Sequence, residues 1–214
     1  MGRRPGLALL TALVAALLFG AWTWLTFGVG AFAGLDAASL TPGVSAASAW
    51  GQVLSAVALL TTPTMVYVAL ALVSWWAARR RLSNLAWAAG LSIPITWGLI
   101  QATKVLFQRP RPDTALPLLT AEGYAYPSGH LTAATVLGVI VLAAMVLTRR
   151  RRGVRTAAAV VIVLAWWFIL YNRWELRAHL FSDLFAGGFL GGAIAATALA
   201  LAGVHVVRLP DPGR

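Results

Sequence analysis

Long apolar runs alternate with short polar breaks along the whole chain. The first run covers residues 7 to about 32, behind Arg3 and Arg4. A cleaved signal peptide has an apolar core of only about 7–15 residues, so this longer run predicts a first transmembrane helix. Residues 33–49 are small, polar and Gly/Pro-bearing, and predict an outside loop. Residues 50–78 predict a second span, ended by Arg79, Arg80 and Arg81. Residues 85–107 predict a third, kinked at Pro94. A polar, proline-rich loop over 108–127 follows. Residues 128–148 predict a fourth span, with arginines at 149–152 and 155 behind it. Residues 156–171 predict a fifth, short unless it runs on toward Trp174. Residues 179–207 predict a sixth, trailed by Arg208 and a Pro-rich tail. Each run approaches the roughly 20 residues that cross a bilayer as a helix. The pattern predicts an all-α polytopic membrane protein with six transmembrane helices in one domain, residues 1–214.

Charge gives the orientation. With both termini inside, one side receives Arg3, Arg4, the 79–81 and 149–155 clusters, Arg208 and Arg214. The other receives only Lys104, Arg109, Arg111, Arg173 and Arg177. Cytoplasmic loops carry the excess of Lys and Arg, so both termini are expected in the cytoplasm. The net charge of +11 does not point to nucleic acid, because most of it sits in short clusters between apolar runs. Composition agrees with a membrane protein: 60% of residues are hydrophobic and 11% charged, with a mean hydropathy of +0.79. There is no cysteine, which removes disulfides and thiolate metal sites. The arginine-over-lysine and alanine usage hints at a GC-rich bacterial genome, and the plasma membrane is the expected location.

The sixth span carries Gly187, Gly188, Gly191 and Gly192, two overlapping small-xxx-small pairs that admit another helix closely. Packing within the chain is the favoured reading, and a homo-oligomer through this helix the alternative. Most tryptophans, among them Trp22, Trp24, Trp50, Trp75, Trp76, Trp166, Trp167 and Trp174, lie near predicted span ends and read as interface anchors.

The few outside cations, with His130 and His179, ask for a reason other than topology; His205 falls inside. Three segments hold them. Lys104 lies about one turn from the outer end of the third span, and Arg109 and Arg111 alternate with prolines just beyond it. Alone, this segment reads as a snorkelling lysine and a solvated loop. In the second, Tyr126-Pro127-Ser128-Gly129-His130, Ser128 is a natural N-cap for the fourth span. The unpaired N–H groups of a helix start bind phosphate, and Gly129 lets an anion approach. An ordinary capped helix is an equal alternative. In the third, residues 173–183, His179 and Asp183 are four apart and share one helix face, with Arg173 upstream. Here the competing reading pairs Asp183 with Arg173 or Arg177. Together, three cations, a phosphate-ready helix start and two histidines on one face point to chemistry on an anion.

These residues resemble the type 2 phosphatidic acid phosphatases (PAP2). Lys104 with Arg111-Pro112 matches their K-x6-R-P motif, Pro127-Ser128-Gly129-His130 their P-S-G-H motif, and Arg173, His179 and Asp183 their third motif, S-R-x5-H-x3-D. Asn172 stands where the family usually has serine, and Leu180-Phe181 where many members carry Tyr-Pro. The motifs span residues 104–183, and the six-span layout extends the likeness to a PAP2-like helical bundle. The family includes bacterial lipid phosphatases, glucose-6-phosphatase and soluble vanadium-dependent haloperoxidases.

The residues and the resemblance imply the same roles. His179 is the nucleophile, with Asp183 fixing its tautomer. His130 is the general acid. Lys104, Arg111, Arg173 and the backbone of Ser128 and Gly129 hold the phosphate. Arg109 and Arg177 are candidate second-phosphate contacts, unless they are solvated or paired with Asp113 or Glu175. No cofactor or metal is expected, because three clustered cations repel a divalent ion. The expected partners are the bilayer and a membrane lipid phosphate. A polyprenyl (pyro)phosphate carrier is the first expectation, by analogy with the family. Phosphatidic acid, phosphatidylglycerol phosphate or a prenyl-phosphoribose lipid are the alternatives. A transporter would place ionisable groups at mid-membrane depth, where this chain has almost none. A lipid-phosphate-binding scaffold would be expected to have lost a catalytic histidine. A haloperoxidase would be soluble.

Overall fold

Uninterrupted apolar runs form helices because a bilayer-embedded backbone must satisfy its own hydrogen bonds. A computed structural model of the chain describes residues 6–40, 44–45, 47–112 and 123–204. Arg3, Arg4, Asp113, His205, Arg208 and Arg214, all used in the reading above, lie outside the described residues. Among the described residues there are helices and no strand. The first helix, α1 (Gly6–Trp24), continues as a π-helical turn (Leu25–Val29) closed by Gly30 in the left-handed region. Then come α2 (Ala33–Ala38), α3 (Ala49–Leu60), α4 (Pro63–Arg79), α5 (Ser83–Phe107), α6 (Gly129–Leu147), α7 (Arg152–Glu175) and α8 (Phe181–Leu201). Among the described residues five helices are long and apolar enough to cross a membrane, and α3 with α4, bent by 45° at their junction, together meet the same length and apolarity as a candidate sixth.

The bend corrects the expectation of one continuous second helix. The hydroxyl of Thr61 donates back to the Val57 carbonyl at 2.8 Å, closing α3. Thr62 then caps α4, its hydroxyl accepting from the Met65 N–H at 3.4 Å, and Pro63 opens α4 with no N–H to carry the ladder across. The fifth span also runs further than 171, through Glu175, and Pro94 is accommodated inside α5, which stays one element.

The last helix forms the axis of the bundle, packed against α1, α5 and α6. Its glycines serve that packing. A Cβ on Gly187 would sit 2.5 Å from the Ser128 carbonyl oxygen, one on Gly191 2.5 Å from that of Thr132, and one on Gly188 2.8 Å from the Trp166 ring. Gly192 faces Ala15 of α1 at 3.9 Å. Gly187, Gly188 and Gly191 thus serve packing within the chain, the reading favoured for this helix. Lipid-facing apolar side chains lie instead on the outer helices, among them Leu13 and Leu17 of α1, Leu72 of α4 and Leu164 of α7. Nor is every tryptophan an interface anchor. The Trp22 indole N–H donates to the Ser182 carbonyl at 2.9 Å, and that of Trp166 to the Thr135 hydroxyl at 2.9 Å.

The close approach of α8 to α6 carries a prediction, because Ser128 directly precedes α6 and His130 lies in its first turn. Gly187→Ala should force the two helices apart and destabilise the protein by about 1–3 kcal/mol, as overpacking usually does. Gly192→Ala, whose Cβ would meet only Ala15 at ordinary contact distance, should be near neutral. Thermal melting of both variants in detergent checks this; equal melting would refute it.

Alternating helix directions sort the charges. Arg79, Arg80, Arg81 and residues 149–152 lie at one end of the bundle. The last turns of α5 and α7 and the starts of α6 and α8 lie at the other. That second end holds the site.

Candidate active site

The functional side chains come from helix ends and from the short segments that leave them. Lys104 comes from the last turn of α5, which Gln108 closes in the left-handed conformation (φ 42°) with its N–H on the Lys104 carbonyl. The chain then runs through Pro110 and Pro112, pinned by the Ala125 N–H donating to the Arg109 carbonyl at 2.8 Å. Arg111 reaches across the mouth of the site. Its Nε donates to the Gly123 carbonyl at 3.0 Å and its Nη1 to that of Ala178, next to His179, at 2.8 Å. On the far side α7 supplies Arg173 and stops when Arg177 turns left-handed (φ 50°). The N–H groups of Arg177 and Ala178 close that turn on the Trp174 and Arg173 carbonyls, at 2.9 and 3.1 Å. His179 sits in the short bridge to α8.

His179 is 2% exposed, and its Nδ1 lies 3.8 Å from Asp183 Oδ2. That is an ion-pair distance, about 1 Å beyond a formed hydrogen bond. The expected Asp183–His179 bond is thus aligned but open, and Nδ1 is buried without a partner. Asp183 is meanwhile held on both oxygens. Oδ2 accepts from the Leu180 N–H at 2.9 Å and Oδ1 from Arg109 Nη1 at 2.6 Å. Burial pushes the His179 imidazole down to about 4 from its ordinary 6.5. Asp183 opposes the shift, and Arg111 and Arg173 add to it. The ring is therefore neutral at pH 7, with a lone pair available. The unfolded ring takes a proton near 6.5 and the folded ring only near 4, so stability falls as pH drops through that window.

His130 and Arg173 form a second unit. His130 Nε2 lies 3.3 Å from Arg173 Nη1, and the ring also hydrogen-bonds the Ala58 carbonyl. That carbonyl belongs to the last turn of α3, where helix ends leave acceptors over. Arg173 is buried, and its Nε and Nη2 both donate to Asn172 Oδ1, at 3.1 and 2.9 Å. The Asn172 amide donates onward to the Leu54 carbonyl at 2.7 Å. The departure from serine at this position thus ties Arg173 to α3. The bent second span, through Leu54 and Ala58, holds both Arg173 and the general-acid candidate.

A third unit was missed by sequence reasoning. Arg109 Nη2 donates to Asp36 Oδ2 at 2.7 Å, and Arg109 Nη1 also donates to the Ser182 hydroxyl at 2.6 Å. Two carboxylates outweigh the effect of burial and raise the pKa of Arg109. Asp36 is 8% exposed on α2 and accepts from the Ser182 N–H and hydroxyl at 2.9 and 2.7 Å. Its one sequence signal was scarcity: the chain has only six acidic residues, and this one sits amid small apolar neighbours.

These units enclose a cavity of about 310 Å³. Lys104, Arg111, Gly129, His130, Arg173 and His179 line it. Pro63, Tyr67, Trp97, Ile100 and Gln101 extend its wall between α4 and α5. Other expected contacts fall elsewhere. The Ser128 N–H donates to the Asp183 carbonyl at 3.0 Å, and its hydroxyl is buried, caps nothing and does not line the cavity. Arg109 is committed to its two carboxylates, and neither it nor Arg177 lines the cavity, so neither is placed for a second phosphate. Three cations, two imidazoles and the start of α6, which borders the cavity at Gly129 and His130, can hold a tetrahedral anion and attack it.

The chain is similar in structure to a transmembrane PAP2-type phosphatidylglycerolphosphate phosphatase from Bacillus subtilis. The TM-score is 0.62 at 20% identity, over 88% of this chain and 94% of that one. No curated protein matches by sequence. The model of the PAP2 superfamily matches residues 84–205, which contain all three motifs and more than half of the sequence. By these motifs, this fold and this match, the chain belongs to the PAP2 superfamily.

Proposed function

We propose that the protein is a bacterial plasma-membrane lipid phosphatase that hydrolyses a phosphate monoester at the extracytoplasmic face through a phosphohistidine. The observation that carries this is the convergence of Lys104, Arg111, Arg173, His130 and His179 on one cavity. His179 attacks phosphorus with its free ring nitrogen while the bond to the lipid oxygen breaks. Asp183, closing on Nδ1, stabilises the imidazolium that develops. His130, which takes up a proton as the phosphate anion binds, gives it to the departing alkoxide, then takes one from the water that cleaves the phosphorus–nitrogen bond, releasing inorganic phosphate. Lys104, Arg111 and Arg173 neutralise the equatorial oxygens, where transition-state charge is spread. The three cations repel a divalent ion, so the reaction proceeds without a metal. The arginine clusters at the opposite end of the bundle support an extracytoplasmic site.

The walls bear on substrate class. Three cations surround one anion's position, and the Tyr67, Trp97, Ile100 and Gln101 wall beyond is uncharged. This favours a monophosphate over the diphosphate form of a carrier lipid. Polyprenyl monophosphate and phosphatidylglycerol phosphate, the lipid named for the Bacillus subtilis protein, both fit that description. The test is phosphate release by purified protein from phosphatidic acid, phosphatidylglycerol phosphate, and polyprenyl mono- and diphosphate, with and without EDTA. Release from a monoester, unaffected by EDTA, is expected, with the diphosphate at least about tenfold poorer in kcat/KM, or about 1.4 kcal/mol. Diphosphate preference would overturn the monoester reading. Loss on chelation with rescue by zinc would overturn the metal-free mechanism. No release from any lipid would overturn the enzyme.

A further inference from the structure

We infer that Asp36 is a positioning residue for the nucleophile, acting through Arg109 and Asp183 to hold the carboxylate against His179. The inference rests on the phosphatase reading and adds to it a residue outside the segment matched by the family.

Asp36, Arg109 and Asp183 form an unbroken chain of short contacts, 2.7 and 2.6 Å, ending 3.8 Å from the His179 ring. Arg109 alone would draw the charge of Asp183 away from the imidazole. A second carboxylate on the opposite side of the guanidinium balances that pull, leaving Asp183 Oδ2 directed at His179. Asp36 also fixes where α8 begins. The N–H of Ser182 is held by Asp36 of α2 and that of Phe181 by the hydroxyl of Ser39, just past the end of α2, at 3.2 Å. The Leu180 N–H is held by Asp183 itself. Three successive backbone donors at the start of α8 are thereby satisfied within the protein, and the carboxylate that serves His179 projects from that turn. Trp22 locks the same turn from α1 through the Ser182 carbonyl. Such buried carboxylate–guanidinium networks direct a side chain more than they stabilise a fold.

The test compares Asp36→Asn with wild type in purified full-length protein. Wild-type phosphate release is measured first, so that failure of the phosphatase reading is recognised separately. Asp36→Asn should lower kcat about 10- to 100-fold, the range seen when an outer partner of a reactive group is lost. KM should stay within about threefold, since no phosphate contact is touched. The acid limb of kcat/KM should move to lower pH, because a weakened Asp183 holds a proton on His179 less well. Arg111, Arg173 and His130 also face His179, and Lys104 shares its cavity; all are unchanged in the variant. A residue that only supported the fold would lower the melting temperature without moving that limb, and this result would overturn the inference. So would unchanged kcat. If Asp36→Asn does not fold, Asp36→Asn with Arg109→Gln removes both charges of the outer pair. That double variant should lose no more activity than Arg109→Gln alone. Losses that multiply would show that Asp36 does not act through Arg109.

Discussion

Replacing His179 by alanine should lower phosphate release by at least about 10⁴-fold, the scale on which removal of a catalytic nucleophile acts. No second nucleophile is placed to substitute. His130 is held by the Ala58 carbonyl and the Arg173 guanidinium. Among the described residues no acidic side chain lines the cavity, and no cysteine exists in the chain. The cationic cup survives the substitution, so substrate should still bind and the loss should fall on kcat. A single-turnover experiment with labelled lipid phosphate, quenched in alkali where phosphohistidine persists, should trap label on wild type and none on His179→Ala. Release by the variant within tenfold of wild type would end the covalent mechanism.

Asp183→Asn should cost about 10³–10⁴-fold in kcat, as when the carboxylate orienting a catalytic imidazole is neutralised. The shape is kept, and the amide oxygen can still accept from the Leu180 N–H. Arg109 keeps Asp36 as a counter-charge at 2.7 Å, so no buried guanidinium is left unpaired. The protein should therefore fold and bind lipid while the His179 ring loses its tautomer control. Thermal melting close to wild type, with KM nearly unchanged, separates this from collapse of the site. Full activity in Asp183→Asn would mean that the 3.8 Å approach to His179 has no role in turnover.

What could be read in the chain followed the range of each signal. The spans were legible because hydropathy is local, and motif spacing is local enough to single out the six residues that line the cavity. Asp36 was not, because its partners Arg109 and Ser182 are 73 and 146 residues away. The carbonyls of Leu54 and Ala58 were not, because backbone acceptors have no residue type to recognise. Ser128 read as a side-chain cap, yet its N–H serves Asp183 and its hydroxyl caps nothing. The bend in the second span left a trace that was passed over. Residues 50–78 exceed the length one crossing needs, and Thr62-Pro63 is a helix-start signature in their midst.

The two carbonyls of α3 and the carboxylate of α2 lie ahead of residue 84, where the family resemblance begins. The motif-bearing half is thus not a portable cassette. Grafted behind another protein's leading helices, it would bring its arginines and histidines along. Arg109 would arrive short of one counter-ion, and Asn172 and His130 would lack the acceptors that aim them. Sequence change in the leading helices is free over the lipid-facing surface but bound, at a few buried points, to the chemistry downstream.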